Sequence, residues 1–537
     1  MKKTELLSPG GNLNKIKTAL LYGADSIYAG TPDMSLRSKS ELSLTDLEQV
    51  SYITKANNKK LYLTLNLFSH NKDIEKLPAF LETIAKINPD GLLIADPGIF
   101  SYFRENMPSM NLHISTQANV CSSLSVDYWK KQGASLCVMA RELSFQEIKE
   151  VKEDCKDIKI EIFVHGAMCM TYSGRCLLSN YMAERGANQG SCAHSCRWNY
   201  KMKARLKNEK MFELDINDEN RDLFEFYLEE EFRENEYFPI EEDDFGSYIL
   251  NSKDLCLMPV LNEYLNIGID TLKIEGRNKS EYYVAMATKS YRYAIDSWYK
   301  DPVNWNYKEY LDELNTLQNR GYTLGFHNNK LTNLAHNYNI SNTVSTYMFA
   351  GIVMDYIDDH LILEIKNFLA SGDVLEFVSP FTIEPIRLRL YEFTDFETGK
   401  VQSRISPGKA HQCIKIPLQA FDHEDKSKIK EFLPKHTVVR KENLSNEFAL
   451  FVKHNVQSFK VENNVANTSG LTSIQNEIDK LGGENSSHKA PKTGLDGCCS
   501  KGCNGCLNFW HDDKYAKLRE KLNNKKLGEM LIKNIDF

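Results

Sequence analysis

Ile158-Lys-Ile-Glu-Ile-Phe-Val164, followed by His165-Gly166-Ala-Met-Cys169, is the stretch on which the fold turns. It is an apolar, β-branched run that ends in a glycine, and cysteines gather just past its end. Cys169, Cys176, Cys192 and Cys196 all fall in the span 169–196. Thiolates collected beyond the end of a strand suit soft-metal chemistry.

Working outward, similar short runs recur at Glu5–Leu7, Ser26–Ala29, Leu61–Asn66, Gly91–Ala95, Leu112–Thr116, Leu136–Ala140 and Thr271–Ile274. Helix-like stretches such as Asn12–Tyr22, Leu44–Ala56 and Ser144–Lys152 lie between them. Alternation of strand and helix reads as parallel strands joined by crossovers. Eight strands predict a closed, TIM-like (β/α)8 barrel, with an open doubly wound sheet as the alternative. Polar residues recur where strands end: Ser8, Asn66, Asp96, Gln117, Arg141 with Glu142, His165, and Glu275 with Arg277. The carboxyl ends of barrel strands are where active sites are built. Taken singly, each of these residues reads equally well as a loop cap or a surface group.

Four domain-scale segments follow. Residues 1–335 form the expected barrel, with an insertion at about 166–250 that carries the cysteines. That insertion also holds a basic run (Lys201, Lys203, Arg205, Lys207, Lys210) and then an acidic one from Glu213 to Asp244. Residues 347–452 alternate like a small β-barrel domain, 456–496 read as a polar linker, and 497–537 as a Cys-rich basic tail. The 537 residues are 42% apolar with a net charge of −7, which argues against a surface basic throughout but leaves local RNA-binding patches open. No run of eighteen apolar residues suggests a membrane span, and the N-terminus lacks a signal-peptide core, so a cytoplasmic protein is expected. The thirteen cysteines would then stay largely reduced.

Cys169-x6-Cys176-x15-Cys192-x3-Cys196 supplies enough thiolates for a 4Fe–4S cluster or a structural zinc. The first pair is spaced too widely for the usual zinc habit, which favours the cluster. Cys256 is an alternate ligand. A possible second site, Cys498, Cys499, Cys503 and Cys506, ends in a Cys-x3-Cys-x2-Cys spacing. Too little chain follows it for the barrel that a radical enzyme needs. A second cluster, a zinc knuckle or a redox-sensitive patch remain as readings, and the basic stretch Lys514–Lys526 behind it suits RNA. Candidate proton carriers are Glu142, Glu161, His165 and Glu275. Candidate substrate-binding groups are Asn66, Gln117, Arg141 and Arg277, the two arginines being suited to a dicarboxylate or phosphate. For each, a structural ion pair is the competing reading.

Glu161-Ile-Phe-Val-His-Gly166-Ala-Met-Cys169-x4-Gly174-Arg-Cys176-Leu-Leu-Ser179 resembles the signature of peptidase family U-32, the collagenase-like proteins. The likeness extends from Glu5-Leu-Leu-Ser-Pro-Gly10 through Ser115-x-Gln117-Ala-Asn119 and Arg141-Glu-Leu-Ser144 to Lys273-Ile-Glu275-Gly-Arg277 and Arg320-Gly-Tyr-Thr-x-Gly-Phe326. It covers residues 1 to about 450, leaving the Cys498–Cys506 tail outside. Within the family it looks most like members that hydroxylate the wobble uridine of tRNA to 5-hydroxyuridine. That resemblance implies an oxygen-independent reaction with an iron–sulfur cluster, prephenate as co-substrate and a tRNA anticodon stem-loop as partner. The electron donor stays unassigned. Hydroxylation of ribosomal RNA or a quinone, and peptidase activity, are the alternatives. Against proteolysis, the chain has neither a Gly-x-Ser-x-Gly elbow nor a His-Glu-x-x-His site. A cluster would also consume the thiolates that a cysteine protease needs.

Overall fold

The computed structural model describes residues 3–31, 42–67, 69–168, 253–329, 346–408, 411–421 and 428–443, with short strand segments between 203 and 248. Strands β1 (Glu5–Gly10), β2 (Ser26–Gly30), β3 (Lys60–Leu65), β4 (Gly91–Ile94), β5 (Leu112–Ile114), β6 (Leu136–Val138) and β7 (Lys159–Ala167) pair in parallel, each with the next. After the insertion come β8 (Asp254–Cys256) and β9 (Thr271–Ile274). β9 pairs in parallel with both β1 and β7, which closes an eight-stranded barrel. All eight strands expected from the sequence are present.

Local chemistry explains the helices between them. Asn12 caps α1 (Leu13–Leu21) by accepting from the Lys15 amide. Ser43 with Asp46 and Ser144 with Glu147 form reciprocal capping boxes at α2 (Leu44–Ala56) and α3 (Phe145–Asp154). Asp96, one of the polar strand-end residues, is also a cap: it accepts from the Gly98 and Ile99 amides. Ser8 points outward and bonds Thr288 on α4 (Glu281–Lys300) at 3.0 Å. Neither residue belongs to the barrel mouth.

β7 is the irregular strand. Its register on β9 runs Lys273 to Phe163 and then Ile274 to His165, so Val164 is an extra residue. A bulge of this kind reverses the faces of everything beyond it. Past the bulge, His165, Gly166 and Ala167 pair antiparallel with β8, which in turn pairs with β10 (Tyr322–Thr323). Gly166 has φ +121°, and a Cβ there would lie 2.7 Å from the Glu275 Cβ. The missing side chain lets the end of β7 close onto the residue that follows β9.

Residues 347–442 build a curled antiparallel sheet whose longest strands are β11 (Tyr347–Ile357) and β12 (His360–Ile365). It has its own core around Leu363, Phe377 and Phe421. At the seam with the barrel, the Tyr22 hydroxyl donates to the Val378 carbonyl and accepts from the Val438 amide at 3.0 Å.

Candidate active site

The barrel interior is charged where such barrels ordinarily carry branched apolar layers. Contacts that skip a strand show which side chains face inward. Lys273 on β9 lies 4.6 Å from the ring centre of Tyr28 on β2, and donates at 2.8 Å to Glu161 on β7. Tyr62 on β3 bonds Glu5 on β1 at 3.0 Å and packs its ring 4.7 Å from that of His113 on β5. Glu161 is wholly buried, and burial pushes its carboxyl upward while Lys273 pulls it back. Burial drives His113 down to about 3, with Lys159, Lys273 and Lys60 adding to the effect, so this imidazole is neutral near pH 7.

Above this layer is the mouth. Arg141, following β6, stacks 3.9 Å over the Phe163 ring and donates to the Ala167 carbonyl at 2.7 Å. Its other terminal nitrogen stands 4.0 Å from Glu275. Glu275 accepts from the Tyr28 hydroxyl at 3.2 Å. Arg277 reaches across β1 and β2 to bond Thr64 at 3.0 Å, 5.7 Å from the Tyr28 ring centre. A Cβ on Gly11 would come within 2.0 Å of the Arg277 carbonyl, so glycine permits this approach. Two aromatic rings, Tyr28 and Phe163, are thus each flanked by cations. Asn66 sits just past β3, and Gln117 lies in a 3-10 turn after β5.

Four buried polar atoms here have no hydrogen-bond partner among the described residues: Gln117 Oε1, Arg141 Nε, Glu142 Oε2 and Glu161 Oε2. They come from three successive strands. Leaving such atoms unsatisfied costs about 1–3 kcal/mol each, and their clustering marks unused bonding capacity in one place.

His165 is not in this group. The bulge turns it to the outer face, into a cage of Tyr283, Tyr291 and Tyr322 with ring centres 5.4–5.7 Å away. Burial lowers its pKa to about 4. Cys256 pairs with His165 across the β7–β8 ladder, is buried 3.8 Å from the Tyr291 hydroxyl, and has its thiol pushed up to about 11 by that burial. Cys169, Cys176, Cys192, Cys196, Cys498, Cys499, Cys503 and Cys506 lie outside the described residues. As a donor set, four thiolates suit a 4Fe–4S cluster.

Lys273, Tyr28 and Tyr62 are members that sequence reasoning missed. Lys273 sits inside a run read for its Glu275 and Arg277, and its alternation with Leu272 and Ile274 was the available signal.

A closed parallel barrel with a cation-rich, carboxylate-bearing mouth defines the architectural class. The profile of peptidase family U32 matches residues 11–337, and the chain belongs to that family. It is 36% identical over 406 residues to the tRNA hydroxylation protein P of Escherichia coli, covering 72% of this chain and 89% of that one. It is also 36% identical over 383 residues to tRNA hydroxylation protein P1 of Bacillus subtilis, covering 71% and 84%. A collagenase of Porphyromonas gingivalis is 26% identical over 446 residues, covering 78% and 98%.

Proposed function

We propose that the chain hydroxylates tRNA, converting the wobble uridine to 5-hydroxyuridine with prephenate as co-substrate and a 4Fe–4S cluster on Cys169, Cys176, Cys192 and Cys196. The observation that carries this reading is the near full-length likeness to tRNA hydroxylation proteins, which spans every barrel strand that builds the mouth. The mouth's chemistry agrees with it. Arg141 and Arg277 present forked donors suited to the two carboxylates of prephenate. Glu275, held by Tyr28, is placed to take or return a proton at the mouth. Glu161 and Lys273 hold a charge pair beneath the rings. The bound cluster would supply one-electron chemistry at the end of β7. An anticodon loop offers bases that unstack cheaply enough to enter such a mouth.

The peptidase reading fares worse on this geometry. The histidine nearest the cysteines in sequence, His165, faces away from the mouth and is too weak a base at a pKa of about 4.

Purified tRNA incubated with anaerobically reconstituted protein and prephenate, then digested and analysed by nucleoside mass spectrometry, tests the proposal. 5-Hydroxyuridine should form with the wild-type chain and not with Arg141→Met. Turnover of ribosomal RNA or a quinone, with tRNA unchanged, would overturn the substrate assignment.

A further inference from the structure

A barrel core normally excludes charge, yet a column of ionisable groups runs through this one. At the mouth are Glu275 and the Tyr28 hydroxyl, 3.2 Å apart. Below them Lys273 lies 4.6 Å from the Tyr28 ring centre and is ion-paired with Glu161, both nearly devoid of solvent contact. Lower still, Tyr62 donates to Glu5, and Glu5 pairs with Lys60. Lys60 and Glu5 start β3 and β1, at the face opposite the mouth, where the Lys60 side chain is 43% exposed and that of Glu5 15%. The middle and lower groups act on one another: Glu5 raises Glu161, and Glu161 raises Tyr62. Glu161 Oε2 has no hydrogen-bond partner among the described residues, so the carboxylate can accept a second proton donor.

Burying a carboxylate and an ammonium costs several kcal/mol per ion, and apolar side chains of the same volume would hold the barrel at least as well. A column that reaches solvent at the far face has a use that a buried pair alone lacks.

We infer that Glu275, Tyr28, Lys273, Glu161, Tyr62 and Glu5 form a proton relay from the barrel mouth to solvent at the opposite face. Each group passes on one O–H or N–H proton and accepts one in return; no bond between heavy atoms changes and no electrons move. The relay rests on the proposed hydroxylase reading for its purpose. Replacing a ring C–H by C–OH releases that hydrogen as a proton while the electron pair stays with the ring. An RNA loop seated on the mouth shuts off exchange from that side. The groups facing the column are Asp90 beside Tyr62, and Lys159 and Lys60 around His113.

Glu5 and Tyr62 lie far below the substrate, so they are positioning residues tested through Glu5→Gln, Glu5→Ala and Tyr62→Phe. Each should lower kcat for tRNA hydroxylation by about tenfold or more, leave KM for tRNA unchanged and alter the pH profile. Added formate should restore Glu5→Ala. Wild-type rates and profiles in both Glu5→Gln and Tyr62→Phe overturn the relay, as does a lost Glu5→Ala activity that formate does not return. If the wild-type chain makes no 5-hydroxyuridine, the hydroxylase reading fails by itself. Infrared spectra of Glu161 proton–deuteron exchange, which need no turnover, then decide the relay: slower exchange in Tyr62→Phe supports it, and unchanged exchange overturns it.

Discussion

Arg141 illustrates how much one side chain is asked to do. Its guanidinium stacks on Phe163, donates to the Ala167 carbonyl and faces Glu275. A lysine keeps the charge but neither the plane nor the fork. Arg141→Lys should therefore raise KM for the anionic co-substrate by about tenfold, the equivalent of about 1.4 kcal/mol, with the fold intact. Steady-state titration of prephenate checks this, and an unchanged KM would detach Arg141 from that role. Gly166 is the second residue whose identity is dictated. Its φ of +121° and the 2.7 Å approach to the Glu275 Cβ leave no room for a side chain. Gly166→Ala should cost about 2–4 kcal/mol in urea denaturation, from backbone strain added to overpacking. A loss below 0.5 kcal/mol would contradict that account.

Among the elements, β7 carries the most information and was the hardest to read. The alternation of apolar and polar residues located all eight barrel strands, because parallel strands buried on both faces leave a strong local signal. It could not show the bulge at Val164, which arises from pairing with β9, a strand more than a hundred residues away. His165 therefore looked like a mouth residue and lies in the outer tyrosine cage. Lys273 was passed over for a related reason: strand alternation separates two faces but does not say which one lines a barrel. Asp96 and Ser8 sat at strand ends yet serve as a helix cap and an outer contact. The mouth groups Arg141, Glu275 and Arg277 were legible because they immediately follow their strands.

The buried histidines on β5 and β7 set a pH dependence. Their folded pKa values, about 3 for His113 and about 4 for His165, lie below the unfolded value. Protons then bind preferentially to the unfolded chain. The stability is complete above about pH 6.5 and is lost as pH falls toward the folded values, by about 2 kcal/mol per histidine at pH 5. His165→Phe should lose correspondingly less stability than wild type between pH 7.5 and 5 in urea titrations. Parallel losses in the two proteins would show that His165 is not buried neutral.

Across the whole molecule, barrel and sheet are tied by a buried ionic knot. Arg440 bonds Glu376 within the sheet domain and Glu313 of the barrel's last helix, each at 2.8 Å, and lies 4.3 Å over the Tyr347 ring. Removing the cation would strand a buried carboxylate. Arg440→Met is expected to cost about 3–5 kcal/mol and to split unfolding into two transitions. A single unchanged transition by calorimetry would mean the domains are held elsewhere. Among the described residues no helix is long and apolar enough to cross a membrane.

The central claim is that this barrel hydroxylates tRNA through chemistry gathered at one mouth. The most direct measurement is nucleoside mass spectrometry of tRNA from cells lacking the protein, complemented with wild type, Arg141→Met or Cys192→Ala. The account predicts that 5-hydroxyuridine and its derivatives vanish on deletion, return with the wild-type chain and stay absent with either variant. Wobble modification that persists without the protein, or returns in full with both variants, would contradict it.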